Sequence, residues 1–293
     1  MRTIAYTLFA LIAFAANSVL CRLALGPGII DAASFSTIRL TSGAITLAVI
    51  TVFVKKGTFR VAGAWPSATL LFLYAVPFSF AYTSLTAGTG ALILFASVQA
   101  TMMLSAIVAG ERPHPWQWLG LVMALGGLVV LVLPGLTAPP LVGAALMAMA
   151  GIAWGAYSLR GRGTTDPLGE TTSNFIRSVP LVLVVSLVTV PQLKVTAGGI
   201  LLASSSGAIA SALGYVIWYA ALARLTATRA AAVQLTVPLL AAAGGIVFLG
   251  ETVPFRLGVS AFLILGGVGL ALAARERLAP RRVKPAARES AAT

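Results

Sequence analysis

Charge is what this sequence lacks. Only 9% of its 293 residues are charged and 7 are acidic, where a soluble domain carries about 25% charged residues. With 59% hydrophobic residues and a mean hydropathy of +0.98, no soluble core would hide the apolar surface, so the chain reads as an integral membrane protein. The acids are Asp31, Glu111, Asp166, Glu170, Glu251, Glu276 and Glu289. All fall in expected loops or the tail, so no carboxylate stands mid-span to relay protons. The single histidine, His114, excludes a histidine-based metal cluster, and the single cysteine, Cys21, excludes an internal disulfide. No GxxxxGK[ST] phosphate loop is present, so no ATP-driven step is visible. An intramembrane enzyme would need a nucleophile and a base together, and the spans offer only serines and tyrosines. No catalytic residue, metal or cofactor is therefore assigned.

Long apolar runs are what the chain has instead. Ten segments stand out, near 3–24, 32–54, 65–85, 89–109, 115–133, 141–160, 171–190, 199–222, 229–249 and 254–274. Each is close to the ~20 residues a helix needs to cross ~30 Å of hydrocarbon. The runs are continuous rather than alternating, which predicts helices and not a barrel. The first run follows Arg2 and resembles a signal peptide. It is long enough to span and no small-residue cleavage site follows, so it is expected to be the first helix.

The net charge of +13 would suggest nucleic acid in a soluble protein. Here the basic residues line up by side. With the N-terminus inside, inner loops and tail hold 15 lysines and arginines and outer loops hold 2, Lys194 and Arg256. That asymmetry predicts cytoplasmic termini in an inner (plasma) membrane protein with no nucleic-acid partner. Arg22, Arg39 and Arg177 fall within spans. Arg39 lies about 10 Å past the start of its helix at ~1.5 Å per residue. It is expected to snorkel to the outer headgroups as a structural anchor, with Arg177 as its mirror image.

The chain repeats itself. A shift of 140 residues places Gly110–Glu111 on Gly250–Glu251 and Gly126–Gly127 on Gly266–Gly267. A shift of 138 places Arg22 on Arg160 and Ile38–Arg39 on Ile176–Arg177. A shift of 137 places Phe78, Tyr82 and Leu85 on Tyr215, Tyr219 and Leu222. Shifts this close mark one repeat with small loop indels. The expected organisation is a first five-helix repeat over 1–136, a second over 137–274, and a basic, disordered tail over 275–293. Five is odd, so the second half enters the bilayer upside down, as in secondary transporters. The fold class is thus an all-α membrane protein of ten transmembrane helices in two inverted five-helix repeats.

The glycine–glutamate turns after the fourth and ninth spans and the glycine pairs in the fifth and tenth resemble the EamA-type repeat of the drug/metabolite transporter superfamily. So does the stretch from Tyr215 to Glu251, YVIWYAALARLTATRAAAVQLTVPLLAAAGGIVFLGE. The first half departs at Val98, where the second has Pro238. Within the superfamily the chain looks most like the YddG-type exporters of aromatic and other amino acids. The resemblance implies ten helices, a central cavity lined by both halves, and export of small metabolites.

Candidate substrate-binding residues follow from residue type and depth. Phe78 and Tyr82 are four apart on one helix face, with Tyr215 and Tyr219 at the equivalent places. Pro77 and Gly214 precede them as candidate hinges. Polar groups buried in a bilayer need partners and are often functional, which singles out Asn17, Gln99 and Gln234. Phe95 shares the face of Gln99, Trp154 and Ser158 share a face with Tyr157 beside them, and Trp218 lies one turn beyond Tyr215. Aromatic walls with a few amides suit neutral or zwitterionic solutes. The spans show no central basic clamp for phosphates. The expected function is export of such metabolites, amino acids including aromatic ones foremost, by a monomer using alternating access. Without an embedded carboxylate, transport is expected to run down the solute's own gradient. The alternatives are an exporter of cationic drugs or of nucleobases, and a channel or structural subunit.

Overall fold

The structure is a computed structural model that describes residues 2–56, 63–110, 114–133, 138–161, 164–222, 225 and 233–278. Of these, the side chains of 2, 219, 222 and 275–278 lie outside the description. So do the expected Glu111 turn and the tail beyond 278; residues 275–278, expected in the disordered tail, instead close the last helix.

The chain is all-helical. The first half holds α1 (Arg2–Leu25), α2 (Ala32–Val54), α3 (Trp65–Ala81), α4 (Ala87–Val108) and α5 (Pro115–Val132). The second holds α6 (Leu141–Arg160), α7 (Pro167–Val188), α8 over 197–222, α9 (Val237–Leu249) and α10 (Phe255–Leu278). Eight are long and apolar enough to cross a membrane, while α3 and α9 are shorter apolar helices.

Local chemistry sets the ends. Side-chain oxygens of Asp31, Thr86, Asp166 and Thr196 accept from backbone N–H groups at the starts of α2, α4, α7 and α8, satisfying donors that the first helical turn leaves open. His114 opens α5: its Nδ1 accepts from the Trp116 amide at 3.4 Å and its own amide donates to Gln117 Oε1 at 2.7 Å. The expected ninth span, 229–249, is interrupted: 229–232 lie outside the described residues and 233–234 are helical. Residues 235–236 form a turn, and α9 starts at Val237 with Pro238 in its first turn, where a missing N–H costs little. The third span ends at Ala81, four residues short of expectation, because the chain turns from Tyr82 into the Thr86 cap.

The glycine of each glycine–glutamate turn has a backbone reason. Gly110 and Gly250 have φ of +90° and +65°, the left-handed form that closes a helix most cheaply in glycine. After α9 the Glu251 amide reaches back to the Gly245 carbonyl at 3.1 Å and the Gly250 amide to Ile246 at 3.2 Å.

Five crossings put the start of α6 at the opposite end of the bundle from the start of α1. Gly143, one turn into α6, accordingly lies against Ser84 and Leu85 of the α3–α4 connection. The halves interlock. Thr37 meets Ser186 and Thr51 meets Thr172 between α2 and α7, at 2.7 and 2.8 Å. Between α5 and α10, Gly120 and Gly267 bring two backbones into contact, each facing the other's carbonyl oxygen.

Candidate functional site

Both ends of the bundle carry ties between the halves. At the far end, beyond α1, the Glu251 carboxylate accepts from Arg22 Nε at 3.2 Å and from the Ala87 amide at 2.9 Å. Arg22 Nη1 also donates to the Tyr82 and Thr83 carbonyls at 3.1 and 3.3 Å. Glu251 therefore caps α4 while pairing the last turn of α1. Beside it, Asp31 accepts from the Lys194 amide at 3.1 Å, and Arg256 donates to the Leu133 carbonyl. Partial burial opposes ionisation of Asp31, but hydrogen bonds from Ser34, Lys194 and Ala33 together hold its carboxyl below the usual range. At the near end, where α1 starts, Lys55 pairs with Asp166 and Arg160 Nε donates to Ser67 at 3.3 Å. A small recess, with a cavity volume of about 10 Å³, opens there between α3, α6 and α7, lined by Ser67, Tyr157, Glu170, Thr171 and Asn174 among others.

Between these ends, helices of both halves deliver aromatic rings to one place. Trp154 of α6 is the hub, with ring centroids at 4.8 Å from Tyr74, 5.1 Å from Tyr215 and 5.5 Å from Tyr157. Phe14 and Phe175 close on Tyr215 at 6.0 and 5.9 Å, Trp218 joins Phe14 at 5.7 Å, and Phe78 joins Tyr74 at 5.4 Å. Such contacts add about 0.5–1.5 kcal/mol each beyond their buried area. The rings touch, so the middle of the bundle is packed in this conformation rather than hollow.

A polar chain threads the rings. Asn17 Oδ1 accepts from Ser206 at 2.8 Å and from Ser211 at 3.3 Å. Ser211 Oγ in turn accepts from Arg39 Nε at 3.3 Å, and Arg39 Nη2 donates to the Tyr74 hydroxyl at 3.1 Å. The two serines share one acceptor because α8 is not uniform. Ala197–Ser205 and Gly214–Leu222 are α-helical, but Ser206–Leu213 between them is π-helical. In an α-helix, residues five apart diverge by ~140°. In a π-helix they stack, since the hydrogen bonds run from i to i+5, and such turns concentrate at functional sites.

Arg39 corrects the sequence reading. It does not snorkel. It is 1% exposed, with its Cζ 4.9 Å from the Phe78 ring centroid and 5.3 Å from that of Tyr74. The centre of the bundle thus holds a cation where none was expected. Its repeat partner Arg177 is half-exposed, so the mirror symmetry of the two arginines fails.

The other expected residues divide. Asn17, Phe78, Trp154, Tyr157, Tyr215 and Trp218 belong to the cluster. Tyr82 is buried at the far-end rim, its hydroxyl on the Ala87 carbonyl at 3.3 Å and its ring against Gly90 and Phe78. Ser158 bonds its own helix at the Trp154 carbonyl, 2.7 Å away. Phe95 is buried on α4, and Gln99 holds a buried Nε2 with no hydrogen-bond partner among the described residues. Gln234 is half-buried just before α9. The Tyr219 side chain lies outside the description. Pro77 is inside α3, and Gly214 is the first residue after the π segment. Sequence reasoning passed over Tyr74, Phe14, Phe175, Ser206 and Ser211. Tyr74 was within reach, being four residues before Phe78 and on its face.

Comparison with known proteins fits this architecture. The EamA-like transporter family model matches residues 1–133 and again 141–273. An uncharacterized protein of Pseudomonas aeruginosa, PA1977, is 47% identical over 274 residues, covering 94% of this chain and 96% of its own. A protein known from a crystal structure matches with a TM-score of 0.66 at 19% identity, over 94% of this chain and 99% of that one, which speaks to the fold. Two matched repeats spanning both five-helix halves place the chain in the EamA-like transporter family, as a multi-pass membrane transporter and not an enzyme.

Proposed function

We propose that this transporter exports small neutral or zwitterionic metabolites, amino acids including aromatic ones first among them, by alternating access about the ring cluster. One observation carries the reading: rings from α1, α3, α6, α7 and α8 surround a hydrogen-bonding chain where the two halves meet. Rings take the apolar part of a solute, and hydroxyls and amides take its polar end. The repeats over 1–136 and 137–274 act as the two moving bodies, in a monomer with both termini on the cytoplasmic side of the inner membrane. With no carboxylate in the ring cluster among the described residues, transport follows the solute gradient without proton coupling. The alternative of a cationic-drug exporter loses ground, because Arg39 already occupies the faces of Tyr74 and Phe78 that a cation would seek.

The test is counterflow in proteoliposomes holding the purified full chain, with amino acids, nucleobases and quaternary amines as solutes. Aromatic amino acids are expected to exchange without any imposed proton gradient, and Trp154→Ala to lose ~10-fold or more of that flux through loss of its ring contacts. Exchange restricted to amines or nucleobases, or strictly dependent on a proton gradient, overturns this reading.

A further inference from the structure

Arg39 is the one cation among the described residues that is fully buried within the ring cluster. Its described partners are all neutral: the Ser211 and Tyr74 hydroxyls and two aromatic faces. The ion pairs among the described residues, Arg22–Glu251 and Lys55–Asp166, lie at the two ends. Nη1 is buried and has no hydrogen-bond partner among the described residues. A guanidinium carries five N–H donors, so Nε and Nη2 spend one each and both Nη1 protons stay uncommitted. An unpaired buried charge costs several kcal/mol, and ionisable groups at membrane depth are kept where they serve a pathway. The neighbours that fix the guanidinium plane also rigidify it, since Ser211 is held by Asn17 and Tyr74 by contact with Trp154.

We propose that Arg39 is the carboxylate-recognition residue of the transport site. When the packed rings part during alternation, the substrate sets a carboxylate on the uncommitted Nη1 edge, in the paired hydrogen bonds that guanidinium and carboxylate geometry favour, and lays an apolar or aromatic portion against Trp154 and Tyr215. The missing counter-charge is then the cargo itself. This rests on the transport reading above and narrows it to solutes that carry a carboxylate.

The test compares phenylalanine, 3-phenylpropionate, phenylalaninamide and phenethylamine on the full chain, by competition in counterflow and by thermal stabilisation in detergent. The wild type is expected to respond to the two carboxylates and at least ~10-fold more weakly to the amide and the amine, the loss expected for one charge-assisted hydrogen bond. Arg39→Gln is expected to lose that discrimination, and Arg39→Lys to keep part of it. Arg39→Met, which leaves no buried charge, checks that the fold survives. Equal, measurable responses to phenylalanine and its amide, discrimination that persists in Arg39→Gln, or no stabilisation by any carboxylate overturns the assignment. Stabilisation by 3-phenylpropionate that needs Arg39, without phenylalanine transport, sinks the amino-acid reading and leaves the carboxylate site standing.

Discussion

Asp166 shows how a single loop acid can serve two elements. One oxygen accepts from the Gly169 amide at 3.0 Å and starts α7; the other pairs with Lys55 at the end of α2. The Lys55 ammonium holds the carboxyl below its usual range, with the Gly169 amide helping. A carboxyl lowered by folding stabilises the protein fully above its unfolded pKa, and the gain disappears as pH falls through the lower folded value. Asp166→Asn keeps a capping oxygen and loses the charge. It is expected to melt slightly below the wild type at pH 7, by the ~0.2–1 kcal/mol of an exposed pair, and the gap should close in melts run below about pH 4. At this scale the sequence was a partial guide. Its aromatic candidates mostly converged on one cluster, because ring size and depth are visible in a string of letters. The orientation of Arg39 was not visible, because a residue seven places into a helix can point to lipid or to the core with equal propensity.

Helix pairs depend on smaller details. Each glycine pair, Gly126–Gly127 and Gly266–Gly267, has one glycine facing open space and one pressed on a neighbour. A Cβ at Gly267 would lie 2.5 Å from the Gly120 carbonyl oxygen, and one at Gly120 would lie 2.3 Å from that of Gly267. Backbone atoms cannot swing aside, so Gly120→Val or Gly267→Val should separate α5 from α10 and cost ~1–3 kcal/mol or more as overpacking. Gly126→Ala and Gly266→Ala should leave the stability within ~0.5 kcal/mol of wild type, as surface changes do. Fluorescence size-exclusion melts of the four variants check both halves of this statement. Most element positions were legible, since an apolar run between prolines and capping residues leaves few choices. The α9 start was not, because hydropathy runs smoothly through 229–249 while a turn at 235–236 and Pro238 in the first turn set where the helix begins.

Over the whole molecule, the duplication governs the architecture. Shifts of 137 to 140 residues gave the two halves, and an odd helix count gave their opposite insertion. Cys21 is free and fully buried, so labelling experiments start from a quiet background. In Cys21→Ala, cysteines placed at 111 and at 251 should react with an impermeant maleimide from opposite sides of the membrane. Reaction of both from one side would break the inverted arrangement. What the duplication could not foretell is where the halves differ. Tyr74, Ser206 and Ser211 gain their meaning only from the partner helices, and the π segment of α8 leaves no trace in a 3.6-residue pattern.

That segment is a surplus residue stored inside a span. Remove Ala212 and α8 can rewind to a plain α-helix. The rewinding takes up the lost residue, so the residues beyond it keep roughly their direction. Tyr215 and Trp218 would stay near Phe14, while Ser206 and Ser211, still five apart but now diverging by ~140°, would no longer reach the same amide oxygen. The helix would still cross the bilayer and the fold would still assemble, yet transport should fall. One amino acid of slack keeps the two serine hydroxyls in phase on the Asn17 oxygen.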